Sequence, residues 1–121
     1  MVEMRDATQE DVVQISNATL QRTGRTYAVE ADGTLIAVAG YYFDHGRVVM
    51  YSMIAPIAKE KSAFYALDIV RSARRVIKEA TAFGLPLFTA SDETIPGSEK
   101  LLQYLGFQHQ EGGIWLWPGL H

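Results

Sequence analysis

A mixed α/β fold arranged around a β-α-β unit is what this sequence predicts, on three observations. Val48 to Ile54 is an apolar, β-favouring run that Ala55-Pro56 ends. From Ala63 the apolar spacing changes to about 3.6, with Ala63, Leu67, Val70, Ala73, Ile77 and Ala80 on one stripe. Gly84 and Pro86 then stop that helix, and Leu85 to Ala90 returns to a short apolar strand. A strand, crossover helix and strand of this length make a parallel, right-handed unit. Ligands in such units sit where the first strand hands over to the helix. Here that handover is Ala55 to Phe64, with Ile57 to Ser62 read as a small loop carrying Lys59, Glu60 and Lys61.

The remaining elements follow in chain order. Val2 to Arg5 is a short strand. Thr8 caps a first helix, with Asp11 in the reciprocal place of a capping box. Val12, Ile15 and Leu20 face the core from it, and Thr23-Gly24 ends it. Thr26 to Ala31 and Thr34 to Phe43 are strands joined by Asp32-Gly33, a strong two-residue hairpin signal. The apolar majority of the second strand predicts burial on both faces. Asp44-His45-Gly46 is read as a three-residue turn into the strand beginning at Arg47. After Ala90 comes a polar loop, Ser91 to Thr94. Pro96 then suits the first turn of a helix carrying Leu101, Leu102 and Leu105 and stopping at Gly106. A closing hairpin runs from Phe107 through Gly112-Gly113 to Trp117. Trp115 and Trp117 alternate and share a face, where core closure, an acceptor pocket with Tyr41 or Tyr42, or a subunit interface are the readings.

Composition narrows the function classes. With 121 residues and no internal repeat or linker, residues 1–121 are expected to form one domain with one core. The chain has no cysteine, which excludes disulfides, thiolate metal sites and thiol catalysis. A net charge of −3 argues against general nucleic-acid binding, so no nucleic-acid partner is expected. No apolar run approaches the roughly 18 residues of a membrane helix, and Met1 to Arg5 begins no signal peptide. The cytoplasm is therefore the default location and no membrane partner is expected. His45, His109 and His121 have neither metal-ligand spacing nor a nucleophilic triad around them, so no metal site is expected.

Three stretches in this order resemble the Gcn5-related N-acetyltransferase (GNAT) superfamily. Met4 to Asp11 is similar to that family's opening strand-to-helix signature. Leu101 to Phe107 resembles its closing helix and Gly-Phe, and Pro56 precedes the long helix at the expected spacing. The resemblance implies a GNAT-like acyl-CoA N-acyltransferase fold: a mixed central sheet with a β-α-β core and flanking helices, splayed between Val48 to Ile54 and Leu85 to Ala90. It also implies acetyl-CoA as cosubstrate, held by Met53, Ile54, Lys59, Glu60, Lys61, Ser62, Ala63 and Phe64. Lys59 takes the family's basic slot, whereas Ser62 and Phe64 stand where it has glycines. Leu102 occupies the slot of its usual tyrosine acid, and Tyr104 lies about 200° further round the helix.

On the residues themselves, Asp92 and Glu93 are candidate bases in the loop after the second parallel strand, since an amine must lose its proton to attack. Ser52 is a candidate thiolate or water contact, and Tyr51 beside it is read as core. Arg71, Arg74, Arg75 and Lys78 form a basic stripe read as a solvated helix face. Two functional readings follow. One is an N-acyltransferase acting on an amine of a small molecule or protein, with a homodimer through the aromatic C-terminal strand as an accompanying expectation. The other is a GNAT-like scaffold, of the kind met among phage and prophage products, that no longer binds CoA and serves in binding or structure.

Overall fold

The computed structural model describes residues 2–15, 24–90 and 98–118, apart from the side chains of residues 62 and 98. Strand β1 (Val2–Asp6) leads to helix α1 (Gln9–Ile15); β2 (Arg25–Ala31), β3 (Thr34–Asp44) and β4 (Arg47–Ile54) follow as an antiparallel meander. Then come α2 (Pro56–Glu60), α3 (Ser62–Thr81), β5 (Leu87–Ala90), α4 (Ser98–Leu105), β6 (Gln108–His109) and β7 (Ile114–Leu116). The described strands form one sheet in the order β1-β2-β3-β4-β5-β7-β6, and β4 and β5 are parallel across the α3 crossover. The mixed α/β architecture matches the expectation from sequence. Leu20, Thr23 and Pro96, expected in helices or at their ends, lie outside the described residues.

Hairpin chemistry sets the meander. Asp32 and Gly33 have φ of 50° and 84°, the doubly left-handed geometry whose twist matches that of the flanking strands. The next turn corrects the sequence reading. Asp44 pairs with Arg47, so the loop is His45-Gly46 alone, with φ of 49° and 78°. Histidine tolerates that region better than most side chains do, which lets two residues suffice.

The helical segment departs from expectation in two places. Ile57 to Ser62 is not a loop: Pro56 opens a turn of α-helix in which Ala58 is buried, and α3 starts directly after Lys61. The buried line of α3 is Tyr65, Ser72, Ala73, Val76, Ile77 and Ala80, whereas Ala63 and Leu67 face solvent. Tyr65 takes the N-terminal place because it packs with Ala58, Val29 and Ile36 in a core cluster of its own. Ser72 sits on the buried side at little cost because its hydroxyl donates to Ile69 O at 2.9 Å. A larger cluster under the helix gathers Val48, Met50, Val76, Ile77, Leu87, Leu102, Leu105, Phe107 and Trp115. Trp115 is thus core, and Trp117 packs on Phe107 at 5.4 Å between ring centroids.

Two local devices hold the outer elements. The capping box at α1 forms as anticipated: Asp11 N–H donates to Thr8 Oγ1 at 3.3 Å, and Thr8 N–H donates to Asp11 Oδ2 at 2.8 Å. Arg5 on β1 adds a fork onto Asp11, with bonds of 2.7 and 2.9 Å. That guanidinium, opposed by burial and helped by Thr8, holds the Asp11 carboxyl well below the usual carboxylate range. In mid-sheet, Gly40 lies so close to β2 that a Cβ there would stand 2.0 Å from Arg25 O.

Asp11→Ala should lower unfolding stability by about 1–3 kcal/mol, the cost of orphaning its partners. Because the folded pKa is depressed, this contribution is complete above the unfolded value of about 3.9 and is lost as pH falls below it. Thermal melts of both proteins across pH should show a gap that is constant above about pH 5 and narrows in acid. Gly40→Ala should cost about 1–3 kcal/mol or more in denaturant melts through backbone displacement, and an unchanged midpoint would contradict the close approach.

Candidate active site

The sheet forks at one end of the β-α-β unit. β4 and β5 pair only through Val48 with Leu87 and Val49 with Phe88. Beyond that point β4 stays with β3, as far as Ile54 opposite Ala37. β5 instead turns to β7, with Phe88, Thr89 and Ala90 opposite Leu116, Trp115 and Ile114. Where the ladder stops, the Thr89 hydroxyl donates to Met50 O at 2.9 Å. This side-chain bridge satisfies a buried carbonyl at the crotch of the fork. Among the described residues, Tyr51 to Ile54 have no ladder pairing with β5.

A cavity of about 260 Å³ opens into the fork. Ala37, Ala39, Met50 and Ile54 of the sheet, Ile69, Ser72 and Ala73 of α3, and the leucines of α4 wall it. Three of the five hydroxyl-bearing residues on its lining turn their hydroxyls back into the protein. Ser72 bonds Ile69 O, Thr89 bonds Met50 O, and Tyr51 OH pairs with Thr26 Oγ1. Gly40 lies between Thr26 and Tyr51 in the sheet register, so that ring crosses a position without a side chain. Burial raises the Tyr51 pKa, as does Tyr42, while the Thr26 bond opposes the rise. The cavity therefore offers a mainly apolar surface, to which Tyr42 and Ser52 add the two other hydroxyl-bearing side chains.

The handover from β4 to α3 borders this opening. Backbone N–H groups of Ala58 and Lys59 donate to Ala55 O at 3.0 and 3.1 Å, and that of Lys61 donates to Ile57 O at 3.0 Å. Those of Phe64 and Tyr65 both donate to Lys61 O, at 3.0 and 3.1 Å. These amides are committed to helical turns and do not form an open anion cradle. Lys59, Glu60, Lys61 and Ala63 are exposed. Phe64 is 72% exposed and meets Tyr65 edge-on, so its ring lies neither in the core nor in the fork.

Of the residues singled out from sequence, Ser52 and Ile54 line the cavity, while Met53 alternates with them on the strand and does not. Ser62 begins α3, and its side chain lies outside the described residues, as do Asp92 and Glu93 entirely. Leu102, in the slot of the family's tyrosine, is buried and faces the cavity. Tyr104 is exposed with the Arg74 guanidinium 5.5 Å from its ring centroid. Arg71, Arg74, Arg75 and Lys78 are exposed, as a solvated face requires. Sequence reasoning missed Thr89, Ser72, Ala37 and Ala39. The one available signal was a lone hydroxyl in the otherwise apolar run Leu87 to Ala90. Among the described residues no cluster of three metal-ligating side chains occurs, and no helix is long and apolar enough to cross a membrane.

A β-α-β unit whose parallel strands part over a cavity, flanked by an antiparallel meander and a closing hairpin, is the fold of GNAT acyl-CoA N-acyltransferases, and solved structures bear this out. An N-acetyltransferase from Staphylococcus aureus Mu50 matches with a TM-score of 0.66 at 16% identity, covering 96% of this chain and 94% of its own. YhhK of E. coli, solved in solution bound to coenzyme A, matches with a TM-score of 0.63 at 16% identity, covering 96% of each chain. An aminoglycoside acetyltransferase in complex with coenzyme A matches with a TM-score of 0.64 at 13% identity, covering 96% of this chain and 92% of its own. No family model and no curated protein matches the sequence.

Thr89→Val keeps the shape and removes the donor at the crotch. It should cost about 1–3 kcal/mol in denaturant unfolding, the penalty of leaving a buried acceptor without its donor. No loss would mean that Met50 O is satisfied by another group.

Proposed function

We propose that this protein is an acyl-CoA-dependent N-acyltransferase whose acyl donor lies in the fork between β4 and β5. The carrying observation is the fork itself, where the ladder stops after Val49 and Phe88 and a cavity opens behind it. The backbone of Tyr51 to Ile54, released from β5, lies along the path of a pantetheine arm. Lys59 and Lys61 stand exposed at the adjoining corner as partners for its phosphates. When bound, the thioester supplies an electrophilic carbonyl, which an amine attacks directly. Asp92 and Glu93, which follow β5 in sequence, are the residues to which we assign the amine proton. An amine with a free pKa near 10 needs such a base at neutral pH. With Leu102 facing the cavity, this chain places no tyrosine acid in the family's slot, and protonation of the leaving thiolate falls to another group or to water.

The acceptor is an amine on a small molecule or a protein. Cytoplasmic location and one domain over residues 1–121 complete this reading. One observation favours the alternative of a scaffold without cosubstrate, namely that the amides of residues 58, 59, 61, 64 and 65 are already bonded within helical turns.

Calorimetric titration with acetyl-CoA and with CoA separates the two. The enzyme reading expects micromolar binding, weakened severalfold by Lys59→Glu through charge reversal and abolished by Ser52→Trp, which fills the fork from an exposed position. Absence of heat at millimolar ligand would leave only the scaffold.

A further inference from the structure

We infer that the acceptor is a monoamine on a flat, aromatic body, bound on the face of the sheet opposite α3. This rests on the acyltransferase reading and goes beyond it by naming the acceptor class.

The strand register separates two faces at the fork. Ser52 and Ile54 stand opposite Ala39 and Ala37, and Met50 opposite Tyr41, with their side chains on the α3 side. Val49 stands opposite Tyr42, and Tyr51 opposite Gly40, on the other side. Residues of both sets line the cavity, so the opening passes through the sheet between β4 and β5. With the pantetheine arm along the edge of β4 toward α3, the other side is left to an acceptor whose nitrogen must reach the same thioester.

That side is apolar and open. Arg5 shares it and ties α1 to it through Asp11, and α1 packs on β3. Beyond β3 the sheet presents Val49 and Tyr51 of β4, Phe88 of β5 and Leu116 of β7, all half-buried. Tyr42 reaches the opening across Val49, its ring centroid 5.9 Å from that of Tyr51 and tilted by 44°. Among the described residues its hydroxyl has no hydrogen-bond partner, which leaves one polar handle beside the two rings. The charge that β4 brings to this side, Arg47, is already engaged. It donates to Asp44 at 3.1 Å and lies 5.4 Å from the Phe88 ring centroid.

These walls discriminate between amines. A planar aromatic body can lie against two tilted rings and gains from both burial and ring contact. A polyamine or an aminoglycoside would bring further ammonium groups against β4, β5 and β7, which carry no carboxylate. Each such group would give up water without finding a partner. Apolar surroundings also favour the neutral amine, which is the form that attacks. In that step a C–N bond forms as the C–S bond breaks; the amine proton passes to Asp92 or Glu93, and CoA leaves on its sulfur.

The test is acetyl transfer from acetyl-CoA to phenethylamine, tryptamine, spermidine, kanamycin and a lysine-containing peptide. It is read as release of the CoA thiol, to which a chain without cysteine adds no background. The two aromatic amines should show kcat/KM about tenfold or more above the other acceptors, the effect of one unpartnered polar group. Tyr42→Ala should raise their KM about two- to tenfold, the worth of an aromatic contact, with calorimetric acetyl-CoA binding unchanged. Tyr42→Phe, which restores the ring, should recover the KM. Transfer to the polycations or the peptide as efficient as to the aromatic amines would overturn the proposal and leave the acyltransferase reading in place. So would an unchanged KM in Tyr42→Ala, or transfer to none of the amines while acetyl-CoA still binds. Absence of acetyl-CoA binding would overturn both.

Discussion

The backbone pairing that joins the two halves of this sheet is two residue pairs long. Val48 with Leu87 and Val49 with Phe88 connect the meander β1-β4 to the small unit β5-β7-β6. So short a ladder could not hold two independent sheets in register. The join is made instead by the cluster beneath α3 and α4, in which Val48 and Met50 from one side meet Leu87 and Trp115 from the other. Burial is non-directional and does not require the strands to run together for their whole length. The core can therefore hold the halves while the hydrogen-bonded surface stays open. The single polar adjustment needed at the crotch is made by the Thr89 hydroxyl on Met50 O.

An opening at one end requires a clamp at the other. Glu79, near the C-terminal end of α3, accepts a hydrogen bond from Tyr27 OH, one of 2.9 Å from Tyr41 OH, and one of 3.2 Å from Arg25. Burial works against its negative charge, but these donors and the Arg25 charge outweigh it and lower its pKa. The same cluster pushes the Tyr41 phenol up to about 12, through burial first and the Glu79 bond second. Arg25 also lies 4.7 Å from the Tyr27 ring centroid and donates to Asp6 at 2.9 Å. The helix is thus tied to β2 and β3 at its C-terminal end, opposite the fork. Its N-terminal end is held, among the described residues, by apolar packing of Tyr65 and Ile69 with Ala58, Val29 and Ile36. Charge fixes the closed end and apolar contact the open one.

How much of this was legible follows from where the information resides. Hairpins are local, so Asp32-Gly33 and the strands it joins could be read directly, whereas the fork depends on β5 leaving β4 for β7, a choice made by residues more than twenty positions apart. The resemblance to GNAT proteins supplied it where periodicity could not. The α3 stripe was misplaced because Ala63 and Leu67 fit the helical period as well as Tyr65 does, and the deciding contact is tertiary. The handover resembles a loop in sequence because Lys59, Glu60 and Lys61 are polar, although Pro56 is as suited to a first helical turn as to a strand end. The alanines of β3 carried no signal at all: a small side chain lining a cavity looks in sequence like one packed beneath a neighbour.

That helical turn bears on how such a site can bind its ligand. A glycine loop holds a diphosphate with preorganised amides. Here the amides of residues 58, 59, 61, 64 and 65 are spent on Ala55, Ile57 and Lys61 carbonyls, and the cations on hand, Lys59 and Lys61, are exposed. Exposed charges contribute weakly and are screened at physiological salt, where the Debye length is about 8 Å. A donor phosphate at this corner would thus meet two exposed cations and few open amides, in contrast to a preorganised glycine loop.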